Sequence, residues 1–242
     1  MALYLLIFSA IVVTCIFFNK FSGKIGIPVL LFFLMLGLLC GSQNDGFASQ
    51  WAWIVGKIST IALIFIMFYG GFGTRWKSAR PVAVEAGLLA TVGVALTAVL
   101  VGLFCHFALG WAWLESFLMG AVISSTDAAT VFSILRSRKL GLKNNSAPLL
   151  EVESGSNDPM SYMLTAVMLS LFNGGITAGG IVWQIFSQIA FGVAGGLAIS
   201  GIAVFFLKKI NFQSNGFDLL LFIAIALVSY ALPDLLGGNG YL

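Results

Sequence analysis

Residues 111–135 read WAWLESFLMGAVISSTDAATVFSIL. A stretch of this length and polarity can cross a bilayer, which takes about 20 predominantly apolar residues. Its middle does not suit an ordinary span. Ser124, Ser125, Thr126, Asp127 and Thr130 fall together at mid-depth. Ser, Thr and Asp compete for backbone hydrogen bonds and are weak formers of a helix interior. A helix that breaks here frees N–H and C=O groups, and lipid offers them no partner. Such a break is tolerated only where it faces protein or a water-filled cavity, and broken helices of this kind form ion sites in secondary transporters. The sequence therefore predicts an all-α polytopic membrane protein whose fifth span is broken around Ile123–Thr130.

The rest of the chain fits that setting. Of 242 residues, 60% are hydrophobic and only 9% charged, and mean hydropathy is +1.03. A soluble globular domain has no need of that balance. Eight apolar runs stand out, roughly 2–19, 26–41, 52–73, 81–108, 111–135, 147–172, 180–207 and 217–235. The first lacks a basic region before it and a small-residue cleavage site after it, so it reads as a span and not as a signal peptide. A ninth run begins at GNGYL, where the chain stops. Residues 1–242 are thus expected to be one membrane transport domain, incomplete on its C-terminal side. Lys and Arg occupy alternate loops: Lys20 and Lys24, then Arg75, Lys77 and Arg80, then Arg136, Arg138, Lys139 and Lys143, then Lys208 and Lys209. Lys57 alone falls elsewhere. The positive-inside rule puts those loops in the cytoplasm and the N-terminus outside, in a cell inner or plasma membrane. A net charge of +3 without a basic stripe excludes a nucleic-acid partner. Cys15, Cys40 and Cys105 have no metal-ligand spacing, and the single histidine, His106, reads as interfacial. Gly192 and Gly196 form a small-residue face that lets two helices approach.

The run 147–172 carries the second polar intrusion, EVESGSNDPM at 151–160. At 100° per residue Glu151, Ser154 and Asp158 fall within about 60° of one another, and Asn157 stands one turn from Glu153. Pro159 removes an N–H and crowds the carbonyl of Gly155, which can release a backbone oxygen. A carboxylate at mid-membrane costs about 2.5–3.5 kcal/mol on insertion scales. The fifth and sixth runs hold Asp127, Glu151, Glu153 and Asp158, with no Lys or Arg between their ends to pair them. Acids so placed imply bound cations, protons or a water path. Hard monovalent cations take oxygen ligands, and Asp158, Ser154, Asn157 and the region of Thr126 supply them. Loss of water disfavours a charged carboxyl group, so a proton competes with the cation for the same site. Competition at one site that opens alternately to each side is exchange.

STDAATVFSIL at 125–135 and LEVESGSNDPM at 150–160 together resemble the paired signature of the monovalent cation:proton antiporters. Within that family the chain is most similar to the bacterial potassium/proton and sodium/proton exchangers with an Asn-Asp pair. The resemblance covers nearly the whole chain. It implies the N-terminal part of an inverted-repeat fold of thirteen helices, a homodimer, and secondary exchange of K⁺ or Na⁺ for H⁺ with no cofactor. It implies that Asp158 carries the monovalent cation and the proton, that Asn157 orients it, and that Ser154 and Thr126 are ligands. It further implies that Asp127 supports the broken helix and that Glu153 pairs with an arginine from a later helix. The wording ESGSNDPM favours the potassium branch. Tyr69 departs from the family, since many relatives carry an acid there.

Other readings are weaker. An intramembrane aspartyl protease needs a GxGD-type context that neither STDAA nor SNDPM provides, so an enzyme is not expected. A cation channel favours repeated carbonyls or charge rings, and no filter-like segment is present. A non-transporting fragment of the antiporter is the remaining alternative.

Overall fold

The computed structural model describes residues 6, 9–10, 12–18, 20, 29–41, 45–137, 140–174, 176–209 and 217–242. Lys24, Arg138 and Lys139 of the basic loops lie outside the described residues, as does part of the first apolar run. The regular elements among the described residues are all helical. They are α1 (Val29–Gly41), α2 (Asp45–Gly73), α3 (Trp76–Leu109), α4 (Trp113–Ile123), α5 (Ala128–Ser137), α6 (Ser146–Phe172), α7 (Ala178–Lys209) and α8 (Phe217–Leu235). These are the helices of an all-α, multi-spanning membrane protein, with α3 interrupted along its length. Among the described residues, Ala52–Gly73, Trp76–Leu109 and Ala178–Lys209 are long and apolar enough to cross a membrane. At 1.5 Å per residue, the 27 residues of α6 reach about 40 Å despite their polar centre.

The chain divides into two compact units, 1–59 with 127–144 and 60–126 with 145–242. The second unit holds α3, α4, α6, α7, α8 and the second half of α2.

Two helical interruptions matter. The first lies in the fifth apolar run, where Ser124 is a turn and Ser125–Asp127 have no regular structure between α4 and α5. The second was not foreseen from the sequence. Within α3 the chain tightens to a 3-10 turn at Arg80–Val82 and widens to a π turn at Leu89–Gly93. Pro81 accounts for the first of these, because it lacks the N–H that an α turn needs. At the π turn the Thr91 hydroxyl donates to the Gly87 carbonyl at 2.7 Å, so a side chain serves a backbone oxygen.

Small residues let the helices of the second unit close on one another. Ala86, Ala90, Val94 and Ala98, spaced by four, are buried along one side of α3. A Cβ on Gly120 of α4 would lie 2.2 Å from the Ala98 carbonyl oxygen, so glycine alone permits that crossing. The small-residue face of α7 is also used, though the close pair is Gly192 and Gly195. A Cβ on Gly192 would meet the Asn239 carbonyl at 2.7 Å, and one on Gly195 would meet the Pro233 ring at 2.7 Å. Gly196 has its nearest such neighbour at 4.0 Å. After α8 the chain turns at Gly237 (φ 78°), and Tyr241 packs between the rings of Tyr162 and Tyr230.

His106, near the end of α3, stacks on Trp113 at 3.7 Å between centroids, and its Nδ1 lies 2.8 Å from the Trp111 carbonyl oxygen. That places it in a hairpin between helices and gives it a structural partner.

Candidate functional site

The interruption between α4 and α5 leaves backbone groups without helical partners, and nearby side chains take them up. The Ala121 carbonyl near the end of α4 accepts the hydroxyls of Ser124 at 2.7 Å and Ser161 at 2.9 Å. The Thr126 carbonyl accepts the Ser154 hydroxyl at 2.9 Å. Ser154 and Ser161 both stand on α6, so α6 is tied to the break at two levels. The polar residues of the two runs therefore answer one another. A freed carbonyl must find a donor in lipid, and here the donors come from Ser124 beside the break and from the facing helix.

Between those ties lies a network of oxygens. Asn157 is wholly buried, at 0% exposure, and Glu153 retains 9%. The Asn157 amide donates to Glu153 Oε1 at 2.9 Å, one helical turn away, and to Thr126 Oγ1 at 2.5 Å. The Thr126 hydroxyl lies 3.1 and 3.3 Å from the two Glu153 carboxylate oxygens. With its amide nitrogen so committed, Asn157 turns its oxygen to the Ser125 hydroxyl at 3.1 Å. The Ser125 hydroxyl also donates to Asp158 Oδ1. Asp158 is half-buried. Glu153 is thus held by two neutral donors, Thr126 and Asn157, and Asp158 by the hydroxyl of Ser125. The C-terminal end of α4 adds the negative end of its helix dipole, which favours a cation.

Each residue singled out from sequence has a place. Ser154, Asn157, Asp158 and Thr126 are drawn into the second unit's network, with Thr126 reaching it through both its carbonyl and its hydroxyl. Asp127 belongs to the first unit. There its Oδ1 accepts the Thr130 backbone N–H at 3.4 Å, and its other oxygen accepts the Thr130 hydroxyl. This is an N-cap on α5, which satisfies one helix N–H left open by the break. Glu151 is exposed and lines a cavity of about 230 Å³ with Thr74, Arg75 and Ser78. Tyr69 is exposed. Pro159 does not break its helix: α6 runs through it from Ser146 to Phe172.

Two participants were missed from sequence. Ser125 was noted only as one of several polar residues in the break. Its side chain is nevertheless the one that meets both Asn157 and Asp158. Asn239, in what reads as the start of another apolar run, is 2% exposed. Its amide donates to the Pro159 carbonyl at 2.9 Å, one residue beyond Asp158. Its backbone N–H donates to the Gln188 carbonyl, and its side-chain oxygen accepts the Tyr241 N–H at 3.0 Å. A lone Asn between two glycines in an apolar stretch was the available signal.

Residues 7–242 match the family described as sodium/hydrogen exchanger, transmembrane. The chain is 36% identical, over 99% of its length, to the K⁺/H⁺ antiporter NhaP of Alkalimonas amylolytica, of which it covers 42%. It is 34% identical, over 99% of its length, to the K⁺/H⁺ antiporter NhaP2 of Shewanella oneidensis, again covering 42% of that protein. A probable Na⁺/H⁺ antiporter of Methanocaldococcus jannaschii is 29% identical over 88% of the chain and 50% of the relative. The chain spans half or less of the length of these relatives.

Proposed function

The chain belongs to the transmembrane sodium/hydrogen exchanger family, and from that premise we propose that the protein exchanges K⁺, or Na⁺, for H⁺ at Asp158. The single observation that carries the reading is the network of Glu153, Asn157, Thr126, Ser125 and Asp158 around the buried Asn157, built from two helical segments of which one is broken at mid-span. The Ser125 hydroxyl meets the Asp158 carboxylate, and in the exchange cycle a monovalent cation or a proton takes up the charge of that carboxylate. Thr126 and Ser154 offer oxygens to the cation, and the Glu153–Asn157 pair fixes the turn that bears Asp158. Asp127 holds the start of α5, and so the far side of the break. Each entering cation displaces a proton from the same carboxylate, and a site that opens in turn to the two sides couples their gradients.

K⁺ is the favoured cation, because the relatives at 36% and 34% identity are K⁺/H⁺ antiporters and the Na⁺ relative stands at 29%. The basic loops lie in the cytoplasm and the N-terminus outside. The active form is a homodimer. The test uses proteoliposomes that hold the full-length protein, with an acid interior and a trapped pH dye. Added K⁺ is expected to raise internal pH without net current, with Na⁺ less effective. Net current that follows the K⁺ gradient without proton movement would mark a channel and overturn the proposal.

A further inference from the structure

The amide of Asn157 can be oriented in only one way that suits its neighbours. Its nitrogen serves Thr126 Oγ1 and Glu153 Oε1, both of which need a donor. Its oxygen therefore faces the break, 3.1 Å from Ser125 Oγ. Asp158 Oδ1 approaches the same hydroxyl. Three oxygens from Ser125, Asn157 and Asp158 thus converge, and the hydroxyl brings a single proton to serve two acceptors.

The neighbouring hydroxyls are committed differently. Thr126 Oγ1 faces the Glu153 carboxylate and accepts from Asn157, so both its proton and a lone pair are engaged. Ser154 Oγ gives its proton to the Thr126 carbonyl. The Ser125 hydroxyl meets the Asp158 carboxylate directly. It also lies in the stretch without regular structure, where no helix dictates its rotamer. A cation arriving at Asp158 takes over the role of the Ser125 proton, and a modest turn about the Cα–Cβ bond then offers the cation an oxygen lone pair.

We infer that Ser125 is a ligand of the transported monovalent cation, completing with Asp158 and the Asn157 carbonyl oxygen a three-oxygen face that the Thr126 hydroxyl does not share. This rests on the proposal that Asp158 binds the cation, and deepens it by naming a further ligand. Loss of a single ligand oxygen weakens ground-state binding of the cation. It leaves the moving parts of the protein untouched, so affinity changes more than turnover.

The experiment measures K⁺-driven proton efflux from proteoliposomes for wild type, Ser125→Ala, Ser125→Thr, Ser125→Cys and Asp158→Ala. Ser125→Ala is expected to raise the apparent KM for K⁺ about tenfold, with the maximal rate within about twofold of wild type. Ser125→Thr keeps the oxygen and is expected to restore the wild-type KM. Ser125→Cys, whose sulfur is a poor partner for a hard cation, is expected to behave like the alanine variant and carries the test if that variant does not fold. A wild-type KM in the Ala and Cys variants would overturn the inference. So would a loss of maximal rate at unchanged KM, since that marks a packing role. Exchange that is lost in Asp158→Ala but normal in the Ser125 variants sinks this inference alone. No exchange by the wild type, or normal exchange by Asp158→Ala, sinks the parent reading and this one with it.

Discussion

Replacing Asn157 by Ala tests whether the network holds the membrane core together as well as shaping the site. The side chain has 0% exposure and makes three described hydrogen bonds, to Thr126, Glu153 and Ser125. Within a membrane protein a neutral side-chain hydrogen bond is worth about 0.6 kcal/mol on average and about 1.7 at most. The bond to the Glu153 carboxylate is charge-assisted and worth about 1.5–3 kcal/mol. Together these predict a loss of about 3–6 kcal/mol. For a domain of this size each kcal/mol moves the midpoint by about 2–4 °C, so the Tm falls by about 6 °C or more. The assay is thermal melting of the detergent-solubilised protein, followed by the monodisperse peak in size exclusion. Asn157→Asp keeps the shape but turns an oxygen toward Glu153 in place of an amide. It is expected to be destabilised at neutral pH and partly rescued by acid, because a proton on the new pair relieves the repulsion. An alanine variant that melts within about 1 °C of wild type would show that these three bonds do not hold the core, since an intact network could not be lost at so small a cost.

Three further outcomes follow from the packing and the break. Gly120→Ala places a methyl 2.2 Å from the Ala98 carbonyl oxygen and is expected to cost about 1–3 kcal/mol by melting, whereas Gly87→Ala, with no neighbour within 4 Å, is expected to be neutral. Asn239→Ala removes the donor to the Pro159 carbonyl and leaves the Tyr241 N–H without its acceptor. It should lower both the Tm and the maximal exchange rate, and Asn239→Gln should not restore them, because the side chain is 2% exposed and a longer one shifts the amide away from both partners. Asp127→Ala removes the cap on α5 at a cost of about 0.5–2 kcal/mol, and Asp127→Asn should recover most of it in the same melting assay.

The membrane fold was legible because lipid imposes a harsh rule on polar groups. Serine, threonine and aspartate clustered at mid-span in 123–130 could not continue a helix without a partner, and the chain does leave the helix at Ser124–Asp127. The spacing of Glu153 and Asn157 gave their contact at once, since i and i+4 stack on any α-helix. What the spacing could not divide was the labour of Ser125 and Thr126. They sit outside regular helix, where 100° per residue does not apply, and only the backbone of the break decides which hydroxyl meets Asp158. The 3-10 turn of α3 had a visible cause in Pro81, but the π turn at Leu89–Gly93 has no comparable residue signature. Asn239 depended on contacts across 80 residues of chain. In an apolar stretch ending GNGYL, helical periodicity suggests a new span, and the folding back of Tyr241 onto Tyr162 and Tyr230 is a tertiary fact.

In the proposed exchange, cation and proton compete for Asp158. The most direct test is the apparent KM for K⁺ in proteoliposomes, measured across a series of external pH values, with Asp158→Asn alongside. The KM is expected to rise as external pH falls while the maximal rate holds, and Asp158→Asn is expected to exchange nothing at any pH. A maximal rate that falls at constant KM, or exchange that persists in Asp158→Asn, would contradict it.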